Sequence, residues 1–292
     1  MHRFSRRGFI TATLTAAALS ACSTGDQGGS SGKVSVFAST ILWGSIAQAV
    51  GGDHVQVFSA ISSPDQDPHD YEASAQDKLR MSQAKVAVLN GGGYDGWAKT
   101  LVESVDSPPE VVDAFVLGKF SGGDNEHVFY DMHVAKQVAQ QLATRLGAVD
   151  ADHQQNYTDA AATFTGKIDQ VLAKAKKWAT SNPNAKAVST ESVAEYLLDD
   201  LGITDVTPPK YIRQSESESG PSVAVVERTR QLIGTTATVL VVNGQTEDAV
   251  SQRLVDRANQ SGAKVVKVFE TFPEGVSDYP TFMDQAISSL TR

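Results

Sequence analysis

Residues 151–180, ADHQQNYTDAAATFTGKIDQVLAKAKKWAT, form the longest stretch of helical periodicity in the chain. Apolar side chains recur there at steps of three and four residues, namely at Tyr157, Ala161, Phe164, Ile168, Val171, Ala175 and Trp178. This pattern predicts one apolar stripe on a single helix. A helix of this size is roughly 40 Å long at a rise of 1.5 Å per residue, so it can cross a whole domain. We interpret it as a rigid spine that joins two lobes.

Short β-rich runs alternate with helical patterns on both sides of this spine. The run at residues 86–90 is nearly continuous in apolar character, as is typical of a strand in a parallel sheet that is covered on both faces. The pattern repeats after the spine, for example at residues 239–243. We also expect strands over residues 111–117 and 210–213. The sequence therefore predicts an α/β protein in which two lobes with mainly parallel sheets are joined by one long rigid helix.

The first 21 residues have the pattern of a targeting segment that lies outside the fold. Three arginines precede an apolar stretch over residues 9–19, which is too short to span a bilayer. Residues 5–10, SRRGFI, resemble the twin-arginine export signal. Residues 19–21, LSA, lead into Cys22 and resemble a bacterial lipobox, in which the cysteine becomes the lipidated first residue. We therefore expect residues 1–21 to be a signal peptide.

Cys22 is the only cysteine in the chain, which excludes an internal disulfide and a cysteine-rich zinc site. It is either a stray thiol in a flexible leader or a lipidation site, and the preceding Leu-Ser-Ala favours lipidation. Residues 22–32 are rich in glycine and serine and predict a flexible tether. A protein held in this way is anchored by lipid to the cell membrane and works at its extracytoplasmic face.

The chain that follows the leader is strongly acidic. Without the three leader arginines, 22 of the 25 basic residues remain against 34 acidic ones, a formal charge of about −12. This balance argues against nucleic acid as a partner. An acidic surface suits cations, although it suits solubility equally well. About 270 residues suit two lobes better than one small core, and we expect an N-terminal lobe over residues 33–150, a linking helix over 151–181 and a C-terminal lobe over 182–292.

Four polar side chains share one situation, since each follows a predicted strand: His69 and His127 in the first lobe, Glu191 and Glu270 in the second. Ligands of open α/β sheets bind beyond the carboxyl ends of the strands, so we expect the four to converge on a metal site in the interlobe cleft. Two imidazoles and two carboxylates suit zinc or manganese. Asp278, eight residues beyond Glu270, is the alternative fourth ligand.

Each of these residues also has an ordinary structural interpretation. His69 lies among the turn-forming residues of the stretch 64–74, PDQDPHDYEAS, where it can be simply a polar loop residue. A carboxylate that follows a strand commonly caps a helix. His54 and His153 lie in polar contexts that indicate the surface, and His133, on a predicted helix, is interpreted as a residue of the surface or of the surroundings of a site.

Four segments together resemble a known family. DPHDYEAS at residues 67–74 resembles the DPH-x-(F/Y/W)-E-x-S segment of the metal-binding receptors of zinc and manganese ABC importers. NEHVFYDM at 125–132 is similar to their NPHxWxDP segment, and STESVAEYLLDDLGI at 189–203 to their third-ligand segment. VFETFPEGVSDYPTFM at 268–283 is similar to the ETLPEG segment of one branch. The likeness extends over nearly all of the chain after the leader.

The resemblance implies two α/β lobes, joined by a long helix, that grip an ion between them. It implies that His69 and His127 are nitrogen ligands and that Glu191 takes the third position, where zinc-dedicated relatives often have histidine. Glu270 then stands where many relatives have aspartate.

The chain departs from the family pattern at two positions next to the second histidine. Glu126 and Met132 replace the prolines that brace this histidine in the family segment. The long histidine-rich loop of some zinc receptors is also absent from the sequence.

Two functions follow from these observations. The first is a lipid-anchored, monomeric substrate-binding protein that binds zinc or manganese as its transported ligand and delivers it to a membrane permease with a cytoplasmic ATPase. Such a protein is not an enzyme. The alternative is a secreted metal-dependent hydrolase that uses the same residues around an activated water. The sequence contains no HExxH and no nucleophile beside a base, and its G-x-S-x-G match, GGSSG at residues 28–32, lies in the predicted flexible tether and not between a strand and a helix, which argues against the hydrolase.

Overall fold

The computed structural model describes residues 32–63, 66–217 and 219–292. The predicted signal peptide, the lipidation site Cys22 and the predicted tether up to residue 31 lie outside the described residues. Within the described ranges, no helix combines the length and the apolar character that crossing a bilayer requires.

Two four-stranded parallel sheets form the framework of the described chain. The first sheet has the order β2-β1-β3-β4, and the second has the order β6-β5-β7-β8. Because every pairing is parallel, the carboxyl ends of the strands lie along one edge of each sheet. The strands are β1 Val34–Thr40, β2 Val55–Ile61, β3 Val86–Leu89, β4 Glu110–Asp113, β5 Lys186–Ser189, β6 Thr204–Asp205, β7 Val239–Asn243 and β8 Lys264–Val268.

Helices connect the strands and cover the sheets. They are α1 Ile41–Gly51, α2 Ala75–Gln83, α3 Gly96–Glu103, α4 Ala114–Leu117, α5 Met132–Val149, α6 Gln154–Ser181, α7 Glu195–Asp200, α8 Pro209–Ser215, α9 Val223–Leu232, α10 Ala249–Ser261 and α11 Tyr279–Thr291. This arrangement confirms the predicted α/β class with two parallel sheets and one long connecting helix.

The long helix α6 has 28 residues and begins three residues later than the periodic stretch, which opens with a short 3₁₀ turn. Its apolar stripe is buried from Tyr157 to Ala175, as the spacing predicts. The helix packs against α1 and α5, which flank the first sheet, and against α7 and α11, which belong to the second half of the chain. It therefore connects the two halves along its length.

One apolar core extends from the first sheet, across α5 and α6, to the second sheet. Two smaller apolar clusters cover the other faces of the sheets: one surrounds Phe37 and Met81, and the other surrounds Val188 and Tyr211. The first sheet is thus covered on both faces, which explains why all four residues of strand β3, VAVL, are buried.

One of the predicted strands is wrong in part, and another is wrong. Strand β4 ends at Asp113, and residues 114–117 form the short helix α4, because the Asp113 side chain accepts a hydrogen bond from the Val116 backbone N–H and caps the turn. The predicted strand over residues 210–213 is helical and belongs to α8, which has proline at its first turn, where a missing N–H costs no hydrogen bond. The edge strand of the second sheet lies earlier, at β6.

Candidate metal centre

His69 is held at the tip of the loop between β2 and α2. Its backbone N–H donates to Asp67 Oδ1 at 2.9 Å, and the indole N–H of Trp97 donates to the Pro68 carbonyl at 3.3 Å. The loop ends at Ser74, whose side chain caps α2 in a reciprocal capping box. The imidazole remains 38% exposed and faces the space between the sheets.

His127 precedes α5, and its side chain is buried. Its Nδ1 atom lies 2.7 Å from Asn125 Oδ1, and its backbone N–H donates to the same oxygen at 3.0 Å. Because an amide oxygen only accepts, Nδ1 carries the ring proton and Nε2 keeps its lone pair. Burial, followed by the charge of His69, lowers the pKa of His127 to about 3. The ring is therefore neutral near pH 7, as a metal ligand must be.

Glu270 follows strand β8 and has a buried carboxylate. Its Oε1 atom accepts a hydrogen bond from Asn243 Nδ2 at 2.8 Å. Its Oε2 atom is buried without a hydrogen-bond partner among the described residues. Burial raises the pKa of Glu270, because the charged form loses its hydration, although the charge of His69 opposes this effect. A buried, unpartnered carboxylate oxygen is costly unless a ligand satisfies it.

The Nε2 atoms of both histidines lie near this oxygen. His69 Nε2 and His127 Nε2 each lie 3.9 Å from Glu270 Oε2. The three ligand atoms all lie within 4.8 Å of one another. Donor atoms around a tetrahedral zinc ion are separated by roughly 3.4 Å, given bonds of about 2.0–2.1 Å. A shift of about an ångström would therefore bring these three side chains to coordination distance.

Glu191 follows strand β5, which strand β7 separates from β8, and the amide of Asn243 at the end of β7 links Glu191 to Glu270. Asn243 Nδ2 donates to Glu191 Oε2 at 2.8 Å as well as to Glu270, and Thr246 Oγ1 donates to Glu191 Oε1. Glu191 lines the same cavity as the two histidines but lies outside the group of three within 4.8 Å. Burial raises the pKa of Glu191 too.

Asp278, the alternative fourth ligand, occupies a different place. Its carboxylate caps α11 and accepts hydrogen bonds from the Thr281 N–H at 3.0 Å and the Thr281 hydroxyl at 2.8 Å. It is exposed and borders a separate cavity beside α6. Asp278 thus acts as a helix cap, the structural role that the sequence analysis considered for Glu191 and Glu270.

A cavity of about 440 Å³ opens beside the candidate ligands. Its lining includes the acidic residues Glu126, Glu216 and Asp248. A second cavity, on the side of Tyr196, shares Glu126, His127 and Glu216 with it. A cation can therefore approach the histidines through space that carboxylates line.

The turn after β3 brings backbone close to the site. Gly91 has a φ of 79°, and a Cβ atom there would lie 2.3 Å from Asp113 Oδ1, so only glycine fits. The turn delivers Tyr94, whose buried ring lies edge-on to both histidines, with ring centroids 4.9 Å from His69 and 5.7 Å from His127. The glycine at position 91 thus allows the backbone to pass close to the candidate ligands.

The other histidines lie elsewhere. The rings of His54 and His153 stack with centroids 3.8 Å apart, and His153 Nδ1 contacts Asp150 Oδ2 at 2.8 Å. His133 is exposed and lies 3.5 Å from Asp200.

Sequence reasoning missed the side chains that hold the ligands. Asn125 and Asn243 each fix a ligand by a hydrogen bond of 2.8 Å or less. Asn243 is the last residue of an otherwise apolar strand, so the rule that selected the four ligands would have found it. Asn125 carries no such signal, because its role depends on the turn that places its amide against His127.

Comparisons with known proteins identify a family of metal-transport proteins. Residues 36–292 match the model of the family ZnuA, zinc-uptake complex component A periplasmic. The metal ABC transporter substrate-binding lipoprotein FimA of Streptococcus parasanguinis is 27% identical over 233 residues, which cover 73% of this chain and 74% of that protein. The manganese ABC transporter substrate-binding lipoprotein PsaA of Streptococcus anginosus is 28% identical over 240 residues, 75% of this chain and 76% of that protein.

Solved structures share the fold. FpvC from Pseudomonas aeruginosa, solved in complex with Mn²⁺, superposes with a TM-score of 0.74 at 20% identity, covering 89% of this chain and 97% of that chain. A crystal structure of ZnuA superposes with a TM-score of 0.72 at 18% identity, covering 89% of this chain and 98% of that one. Since the family model matches residues 36–292, far more than half of the chain, the chain belongs to the family of the periplasmic zinc-uptake component ZnuA.

Proposed function

We propose that this chain is the extracytoplasmic substrate-binding lipoprotein of an ABC importer, which binds zinc or manganese and delivers the ion to the membrane permease and its cytoplasmic ATPase. The observation that carries this proposal is the convergence of His69 Nε2 and His127 Nε2 on the buried, unpartnered Oε2 atom of Glu270. Two imidazole nitrogens and one carboxylate oxygen form a donor set that either metal accepts.

Four residues are proposed as ligands: His69, His127, Glu191 and Glu270. Glu191 completes the set if the amide of Asn243 and the hydroxyl of Thr246 release one of its oxygens toward the ion. With four protein ligands around it, the ion keeps no open position for a reacting water, as expected of a carrier and not of a hydrolase. Zinc binds such a site more tightly than manganese in the Irving–Williams order, so the supply of each metal decides which one is carried.

The proposal also assigns roles in export and membrane anchoring to the first 32 residues. The residues up to 21 act as an export signal of the twin-arginine type, and Cys22 becomes the lipidated first residue of a monomeric receptor at the outer face of the cell membrane. The glycine- and serine-rich residues 22–32 then let the folded body reach the permease. Names of relatives such as FimA and PsaA, which are described as lipoproteins, support the anchor.

The direct test is calorimetry of the purified mature protein after the metal has been removed with a chelator. We expect one zinc or manganese ion per chain, and a strong loss of affinity in the His69→Ala and Glu270→Gln variants. If neither metal produced binding heat at any temperature tested, the receptor function would be refuted. Elemental analysis of protein from its native envelope then identifies the metal carried.

A further inference from the structure

We propose that Glu126 is a positioning residue of the metal site, whose carboxylate holds the His69 ring by its Nδ1 atom and so directs Nε2 toward Glu270. The inference rests on the proposed metal-binding function and deepens it, because it concerns a residue that does not belong to the four proposed ligands.

A side-chain oxygen lies near the Nδ1 atom of each of the two histidine rings. Glu126 Oε1 lies 3.7 Å from His69 Nδ1, while Nε2 of the same ring lies 3.9 Å from Glu270 Oε2. The neighbouring residue, Asn125, offers its Oδ1 atom to His127 Nδ1 at 2.7 Å. Two consecutive side chains thus face the Nδ1 atoms of two histidines from different loops. A ligating histidine usually donates its second N–H to such an acceptor, which fixes the ring and raises its basicity.

Hydrogen bonds hold the backbone of Glu126, so the position from which its side chain extends is fixed. The Glu126 carbonyl accepts hydrogen bonds from Asn90 Nδ2 at 2.8 Å and from the Val128 N–H at 2.7 Å. Its carboxylate passes over Gly93, where a Cβ atom would lie 3.0 Å from Oε2. The missing side chain at Gly93, which has a φ of 110°, leaves the room that the carboxylate occupies.

His69 is the ligand that needs this support. It is 38% exposed, in contrast to 5% for His127 and 3% for Glu270, so little packing restricts its ring. A carboxylate within 3.7 Å of Nδ1 needs only a sub-ångström shift to accept the N–H, since such bonds form at about 2.7–3.2 Å. The proline that the family segment has in place of Glu126 offers no side-chain acceptor, so the support is a feature of this chain.

Three variants test the proposal: Glu126→Ala, Glu126→Gln and the control Asp124→Asn. Asp124 lies on the same loop, and its carboxylate accepts from Ser121 and not from a histidine. Asp124→Asn and Glu126→Gln each remove one negative charge, but the glutamine keeps an acceptor oxygen. We expect zinc affinity, measured by competition with a chromophoric chelator, to fall at least tenfold in Glu126→Ala. Glu126→Gln and Asp124→Asn should stay within about threefold of the wild type.

A second readout separates positioning from general structural damage. In zinc-loaded, ¹⁵N-labelled wild-type protein, the imidazole spectrum should show a protonated Nδ1 and a metal-bound Nε2 at His69, and the metal-free Glu126→Ala variant should unfold at the wild-type midpoint. Wild-type zinc affinity in Glu126→Ala, equal losses in the alanine and glutamine variants, or metal at His69 Nδ1 would each overturn the proposal. A wild-type protein that binds no zinc or manganese would instead refute the receptor function itself.

Discussion

The hydroxyl of Tyr130 binds both backbone groups of Phe269, donating to its carbonyl at 2.9 Å and accepting from its N–H at 3.2 Å. Tyr130 lies three residues after His127, and Phe269 immediately precedes Glu270. This pair therefore ties the segment that carries a candidate nitrogen ligand to the segment that carries a candidate oxygen ligand. The tyrosine is fully buried, so water does not compete for these bonds.

Replacing Tyr130 with phenylalanine should destabilise the protein. The variant keeps the ring but leaves the two backbone groups of Phe269 without a partner, and an unsatisfied buried polar group costs about 1–3 kcal/mol. We expect the free energy of unfolding of the metal-free protein, measured by urea titration, to fall by about that amount. Metal affinity should fall as well, because the distance between His127 and Glu270 is no longer fixed.

Tyr196→Phe is the matched control for this variant. The Tyr196 hydroxyl makes one hydrogen bond, to the Asn125 carbonyl at 2.6 Å. Its loss should cost about 1 kcal/mol, the net value of a typical hydrogen bond. If Tyr130→Phe were no more destabilising than Tyr196→Phe, the special role of the Tyr130–Phe269 pair would have to be abandoned.

Metal binding should raise the thermal stability of the protein, and a chelator should reverse the effect. A ligand that binds only the folded state stabilises it by about 4 kcal/mol at a free concentration of 1,000 times its Kd. His69→Ala should lose most of this gain while the metal-free melting temperature stays near the wild-type value, because the His69 side chain is exposed and packs little. Differential scanning calorimetry with zinc and with EDTA measures both quantities. A large drop in the metal-free melting temperature would show that His69 has a structural role instead.

The sequence predicted that His69, His127 and Glu270 would converge, although it misplaced some of the elements around them. His69, His127 and Glu270 follow strands of parallel sheets, and the common orientation of such strands brings their ends together whatever the details of the loops. The strand expected at residues 210–213 failed because a proline at the first turn and tertiary packing favoured a helix over a short apolar run. Asn125 was missed because side-chain hydrogen bonds across a turn leave no periodic signal in the sequence.

Asn243→Ala should weaken metal binding without contacting the ion. The Asn243 amide donates to Glu191 and to Glu270 at 2.8 Å each, so it holds a half-buried and a buried carboxylate that repel one another. Without it, each carboxylate loses a fixed donor and reorients, and we expect affinity for zinc to fall by about tenfold to a hundredfold. Competition titration measures the change. Unchanged affinity would mean that the two carboxylates do not need this amide to face the ion.

The Asp200→Asn variant should be more stable than the wild type at pH 7 but not at pH 4. Burial raises the pKa of Asp200 to about 6, although His133, 3.5 Å away, acts in the opposite direction. An acid whose folded pKa is raised favours folding while it is protonated, so its contribution is present below about pH 4 and is lost as the pH rises through 6.

Asparagine mimics the protonated acid. The Asp200→Asn variant should therefore gain stability over the wild type as the pH rises above about 4, and the gain should be complete above about pH 6. After allowance for solvent screening of this partly exposed group, we expect a gain of about 1 kcal/mol at pH 7. Urea unfolding of metal-free protein at pH 4 and pH 7 measures the difference between the two proteins. A variant that was less stable than the wild type at pH 7 would show that the contact between His133 and Asp200 stabilises the fold by more than the buried carboxylate destabilises it, because asparagine keeps the shape of the side chain and removes only its charge.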